Sequence, residues 1–91
     1  MTIRVEFFGI ARERAGESEL TLEMQPPQLS LGDVLKQVAL RMPKLGQELI
    51  AGGGLHPSLT ANIDGARFVR DPQTIICDGQ SVLILSADAG G

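Results

Sequence analysis

The chain has 91 residues, 43 % of them hydrophobic and 21 % charged, with a formal net charge of −3. That length predicts one domain with one modest core, and the ratio of apolar to charged residues excludes intrinsic disorder. The eight Lys and Arg are scattered among acids, which argues against nucleic-acid binding, and no apolar run approaches a membrane span or a signal-peptide core, so a cytoplasmic protein is expected.

In IRVEFF, Ile3, Val5 and Phe7 alternate with Arg4 and Glu6, the period-two pattern of a strand with one face on a core; Gly9 ends it. ARERAGES is polar and reads as a turn. ELTLEM then sets Leu20, Leu22 and Met24 against Glu19, Thr21 and Glu23, a second strand that completes a hairpin. Pro26-Pro27 breaks the pattern. Ser30 and Asp33 predict a helix start, since the hydroxyl can accept an orphan amide and the carboxylate suits the positive end of the helix dipole. Val34, Val38 and Met42 recur at four-residue spacing, Leu31, Leu35 and Leu45 widen the stripe, and Pro43 is expected to stop the helix.

Between Lys44 and Pro57 the signal weakens: LGQELIA can form one helical turn and GGG at 52–54 a loop. SLTANID resumes a strand, Asp64-Gly65 turns it into ARFVR, TIIC is a short extended piece, and Asp78-Gly79 turns the chain into SVLILS. That last strand is apolar on both alternations, which suits the interior of a mixed sheet. With the first hairpin on one side, an interior last strand lies beside strand one and parallel to it, while the helix crosses one sheet face. The expected class is therefore α+β, a β-grasp (ubiquitin-like) mixed sheet with one main helix on one face. The expected division is a β-grasp domain over 1–86 and a flexible Gly-Gly tail over 87–91. A split ferredoxin-like order needs a second long helix that 44–57 supplies poorly.

Enzyme machinery is sparse. His56 is the only histidine and precedes a loop proline, no nucleophile stands at a recognisable spacing from a base, and GGG lacks the Lys-Ser/Thr pair of a phosphate loop. Cys77 is the only cysteine, which excludes an intrachain disulfide, a four-thiolate cluster and a cysteine-rich zinc site; it reads as a small buried hydrophobe. No metal and no stably bound cofactor is expected.

What remains is the ending LSADAGG. Terminal fraying is the plain reading of such a tail. A tail that begins directly after a rigid central strand and ends in two glycines also suits another use, because five extended residues reach roughly 16 to 18 Å and glycine can thread a narrow channel. On that reading Gly91 presents its own carboxylate as the reacting group, with Gly90 and Ala89 as the slim approach. A carboxylate becomes a good electrophile once ATP adenylates it, and a sulfur or amine nucleophile can then displace AMP. Nothing in the chain reads as an ATP site, so the activating enzyme is expected to be a separate protein that uses the ATP.

The residues that carry this reading resemble a known family, the MoaD/ThiS sulfur carriers, and most of all the small subunit of molybdopterin synthase. The resemblance covers nearly the whole chain, in VEFFGIARERAG, HPSLTANIDGARFVR and DGQSVLILSADAGG. It implies a carrier and synthase subunit with no catalysis of its own, whose Gly91 is adenylated by an E1-like enzyme of the MoeB/ThiF type and converted to a thiocarboxylate. It also implies that the sulfur is delivered to a pterin precursor in the large synthase subunit, for molybdenum cofactor biosynthesis. A carrier for thiamine or cysteine biosynthesis, a ubiquitin-like modifier joined to lysines through Gly91, and a plain interaction domain are the alternatives.

Alternation adds a docking surface. If Val5, Phe7, Val82 and Ile84 face the helix, Phe8, Leu83 and Leu85 face the other way, where they are expected either to bind a partner or to be covered in part by 44–57. Arg12 and Arg14 read as solvated loop residues.

Overall fold

Alternation of apolar and polar residues builds the main sheet, and the buried half of each alternation builds the core. The computed structural model describes residues 1–25, 29–51 and 54–90. Along the chain run β1 (Thr2–Phe7), α1 (Ile10–Ala15), β2 (Glu19–Glu23), β3 (Leu29–Ser30), α2 (Leu31–Arg41), α3 (Pro43–Leu49) and β4 (Ile50–Ala51). There follow β5 (Gly54–Leu55), β6 (Leu59–Ile63), β7 (Arg67–Val69), β8 (Ile75–Ile76), β9 (Ser81–Ser86) and α4 (Ala87–Gly90).

Five strands pair in the order β2-β1-β9-β6-β7, with β9 at the centre. The β1–β9 pair is parallel, Val5 beside Val82 and Phe7 beside Ile84, and the other pairs are antiparallel. Ile3, Val5, Phe7, Leu22, Ala61, Ile63, Val82 and Ile84 all point to one face and are buried. Each fully buried large side chain in this set contributes about 1.5–3 kcal/mol of transfer free energy. The sequence reading of a central last strand parallel to strand one agrees with this order.

Helix α2 closes that face with Leu31, Val34, Leu35 and Val38 of the predicted stripe, while Met42 stands at its C-cap and Leu45 falls on α3. Its start is a complete capping box: the Asp33 N–H donates to Ser30 Oγ (3.1 Å) and the Ser30 N–H donates to Asp33 Oδ2 (3.0 Å). These bonds to the ionised carboxylate hold the Asp33 carboxyl below its ordinary value, the backbone bond contributing most.

The structure departs from the sequence reading at four places. The polar stretch after β1 is a helix, α1, rather than a turn; only Ala11 is buried on it, so it has almost no apolar stripe to read, although Ala, Arg and Glu are strong helix formers. It ends at Gly16, whose φ of 75° lets its N–H reach back to the Arg12 carbonyl. Pro43 does not simply stop a helix. It follows the end of α2 and opens α3, where its missing N–H costs nothing because the first helical amides have no partner within the helix. Helix α3 runs for seven residues, longer than the single turn expected, and packs on α2 and α1. Cys77 is exposed, not buried, because alternation along β8 turns Ile76 inward and Ile75 and Cys77 outward. Beyond β9, residues Ala87–Gly90 wind into one helical turn.

Candidate functional site

The far side of the sheet from α2 is built by the other half of each alternation. There Leu83 lies between Glu6 on β1 and Asn62 on β6, and Leu85 lies opposite Thr60. Phe8 continues the β1 alternation, its N–H donating to the Ile84 carbonyl at 2.9 Å, which sets its side chain at 45 % exposure on the same side. Leu83 and Leu85 are half-buried. Phe8, Leu83 and Leu85 thus share one sheet face as the alternation predicts.

Of the segment expected to compete for that face, helix α3 packs on α2 and α1, and β5 packs on α2, which lies on the opposite face of the sheet. The Leu83 face of the sheet also holds Phe68, 53 % exposed and opposite Asn62 on β7, which sequence reasoning did not single out. The signal for it is the length of the β6–β7 turn. With Asp64-Gly65 alone as a two-residue loop, Phe68 would pair with Ala61 and face the core. The third loop residue, Ala66, shifts the register by one and turns Phe68 outward.

The root of the tail is held from β6 and its neighbours. Ser86 pairs with Leu59, and the Ala87 N–H donates to the Ser58 carbonyl at 2.8 Å. The 55–59 stretch is itself clamped by Arg70, whose guanidinium donates to the carbonyls of Leu59, Leu55 (3.3 Å) and His56 (3.2 Å). Ser58 is further fixed by its N–H donating to His56 Nδ1 at 3.1 Å. His56 and Arg70 therefore set the geometry from which the tail departs. Neither role was visible in sequence, because each depends on which carbonyls the fold brings within reach of an arginine 11 to 15 residues away.

Of the tail, the backbone of Ala89 and Gly90 belongs to the helical turn, while Gly91 lies outside the described residues. Arg12 and Arg14 sit in α1 and are exposed. Among the described residues, no three His, Cys, Asp or Glu side chains gather where they can hold a metal ion, and no helix is long and apolar enough to cross a membrane.

A mixed sheet of this order, with its main helix on one face and its central strand leading into the tail, defines a β-grasp domain of the ubiquitin-like class. The ThiS family model matches residues 5–91, and the chain belongs to that family. No curated protein sequence matches it. Solved structures share the fold over nearly the full length. The crystal structure of SAMP1 from Haloferax volcanii has a TM-score of 0.83 at 15 % identity and covers 100 % of both chains. A putative molybdopterin converting factor, subunit 1, from Pyrococcus furiosus has a TM-score of 0.76 at 22 % identity, over 94 % of this chain and 97 % of that one. A chain of the BexX/CysO complex of Amycolatopsis orientalis has a TM-score of 0.73 at 21 % identity, over 98 % and 99 %. At 15–22 % identity these neighbours share the fold and do not single out a molybdopterin branch.

Proposed function

We propose that this protein carries sulfur on the carboxyl group of Gly91. An E1-like enzyme of the MoeB/ThiF type would use ATP to convert that carboxylate to an acyl-adenylate, releasing pyrophosphate. Sulfide can displace AMP to give the thiocarboxylate directly. A persulfide gives an acyl disulfide instead, and a thiol must then reduce it to free the thiocarboxylate. The observation that supports this reading best is the tail's placement: it follows the central strand of a ThiS-family β-grasp sheet, with its root hydrogen-bonded to Ser58 in the stretch that Arg70 clamps.

In this reading Phe8, Leu83 and Leu85 form the apolar surface that meets the activating enzyme, and Gly90 and Ala89 give the tail a cross-section small enough for a narrow active-site channel once the helical turn unwinds. The sulfur's destination is proposed to be a pterin precursor in the large subunit of molybdopterin synthase, in line with the sequence resemblance and with the Pyrococcus furiosus neighbour. Catalysis of that transfer belongs to the partner. No stably bound cofactor is proposed for the carrier.

The structural likeness to SAMP1, a small archaeal modifier protein, supports a second reading in which the same activated Gly91 is joined to lysine amines. Thiamine and cysteine biosynthesis are the other destinations for a carrier, the latter in view of the CysO neighbour. Intact mass after incubation with ATP, an E1-like adenylating enzyme and a sulfur donor tests the central claim. The expected product has one oxygen replaced by sulfur at Gly91, and removing Gly91 abolishes it. Protein adducts through Gly91 without the sulfur product favour the modifier. No modification with any E1-like enzyme of the same organism overturns both.

A further inference from the structure

One row of residues crosses the whole sheet on the face turned away from α2. Pairing of successive strands places Glu19, Glu6, Leu83, Asn62 and Phe68 side by side, from β2 through β1, β9 and β6 to β7. Two features of this row are unfavourable in the free protein. Glu6 and Glu19 are directly opposite each other, and like charges in that position repel. Among the described residues neither carboxylate has a hydrogen-bond or ion-pair partner. Asn62 is only 6 % exposed, and its Oδ1 is buried without a hydrogen bond. A buried acceptor left unpaired gives up its bond to water for nothing, and this happens rarely enough in native structures to require an explanation.

Both features lie beside the half-buried Leu83 and the exposed Phe68, on the face assigned above to partner docking. We propose that this row is a recognition row: the activating enzyme supplies a hydrogen-bond donor to Asn62 and a basic side chain to the Glu6–Glu19 pair. This rests on the reading of Phe8, Leu83 and Leu85 as the docking surface. Asn62 stands between Leu83 and Phe68 in the row, so a partner surface that covers those two side chains also covers the carboxamide. Strands in a sheet are about 4.8 Å apart, so the Glu6 and Asn62 positions, two strands apart, are separated by roughly 10 Å. The complementary surface is therefore apolar over Leu83, with a donor on one side and a guanidinium or ammonium on the other at about that spacing. An apolar face alone would admit many partners. A donor-requiring amide at its centre penalises any partner that cannot pair it, and the carboxylates steer a basic surface toward it.

The test is ATP–pyrophosphate exchange by the E1-like adenylating enzyme of the same organism, titrated with the full chain and with Asn62→Leu, Glu6→Lys and Leu83→Glu. Asn62→Leu is expected to leave kcat within about twofold, to raise the KM for the carrier roughly tenfold or more, and to leave the Tm of the free protein unchanged or higher. Glu6→Lys is expected to raise KM severalfold at low salt, with the difference from the unsubstituted protein shrinking as salt is added. An unchanged KM for Asn62→Leu alongside a raised KM for Leu83→Glu overturns the recognition row and leaves the docking face standing. A lowered Tm for Asn62→Leu also overturns it, since the side chain would then be paired within the fold. If the unsubstituted chain supports no exchange, the carrier reading fails and this inference fails with it.

Discussion

Gly46 is the position where two general rules give opposite signs, and the structure decides between them. It lies in the middle of α3, and its N–H donates to the Met42 carbonyl at 2.8 Å. On helix propensity alone, Gly46→Ala gains about 0.8–1 kcal/mol. A Cβ built at Gly46, however, falls 2.7 Å from both Cα and Cβ of Ala39 on α2 and 3.3 Å from the Ala39 carbonyl oxygen. Carbon atoms pack favourably at about 3.5–4.0 Å, so α2 and α3 must separate by close to an ångström. The obstructing atoms are backbone and a methyl group, with no side chain able to swing aside. Overpacking of this kind costs about 1–3 kcal/mol. With rigid backbone and a methyl in the way the upper part of that range, about 2–3 kcal/mol, applies, and subtracting the propensity gain leaves a net loss of about 1–2 kcal/mol, a fall in Tm of roughly 4–16 °C for a domain of this size. Thermal and urea unfolding of Gly46→Ala measure it directly. A variant as stable as the parent, or more stable, refutes the claim that α2–α3 contact excludes a side chain here.

Four further expectations follow from the cap, the docking face and the tail root. Ser30→Ala removes the acceptor of the capping box and should cost about 1 kcal/mol of stability at neutral pH, read by urea unfolding. Because the Asp33 carboxyl titrates below its unfolded value when folded, its stabilising contribution is complete above about pH 4 and disappears as pH falls through the folded value; an Asp33→Asn variant with an unaltered acid limb would contradict this. Leu83→Glu places a charge at the centre of the outer sheet face, where it is half-exposed and tolerable to the fold, so it should keep a cooperative melt yet lose sulfur loading; a folded variant loaded at the parent rate would count against the docking surface. Arg70→Gln frees the carbonyls of Leu55, His56 and Leu59 from a charged donor, and with water competing at this exposed site the loss is about 1–3 kcal/mol. Hydrogen exchange at the Ala87 amide should quicken by about an order of magnitude, and no change there would detach Arg70 from the tail.

Strand alternation and the Ser30–Asp33 start were legible because each is a local pattern with a local physical cause. The central place of SVLILS followed from its apolar residues on both faces. Helix α1 was not legible, since only Ala11 of its six residues is buried and periodicity has nothing to register. The site divides the same way. Phe8, Leu83 and Leu85 could be assigned to one face by counting in twos, whereas Phe68 could not, because one extra loop residue between β6 and β7 decides which face it takes. Asn62 and Arg70 were beyond reach for a different reason. Their significance is a matter of which polar partners the fold brings or fails to bring, and hydrogen-bond satisfaction is a property of tertiary contacts.

The two faces of the sheet make different demands on the same strands, and β9 meets both. Its Val82 and Ile84 are buried in the core, so the strand cannot slip by one residue without exchanging them for Leu83 and Leu85. That constraint fixes the outward placement of Leu83 and Leu85, and it fixes where the chain leaves the sheet after Ser86. A partner that docks on Leu83 and Leu85 therefore binds at a set distance from the tail root, without a hinge between them. The Ser58 and Arg70 contacts carry that rigidity to Ala87, beyond which only a few small residues separate the fold from Gly91. On the proposed function, the register of one central strand sets both where the partner holds and how far the tail reaches.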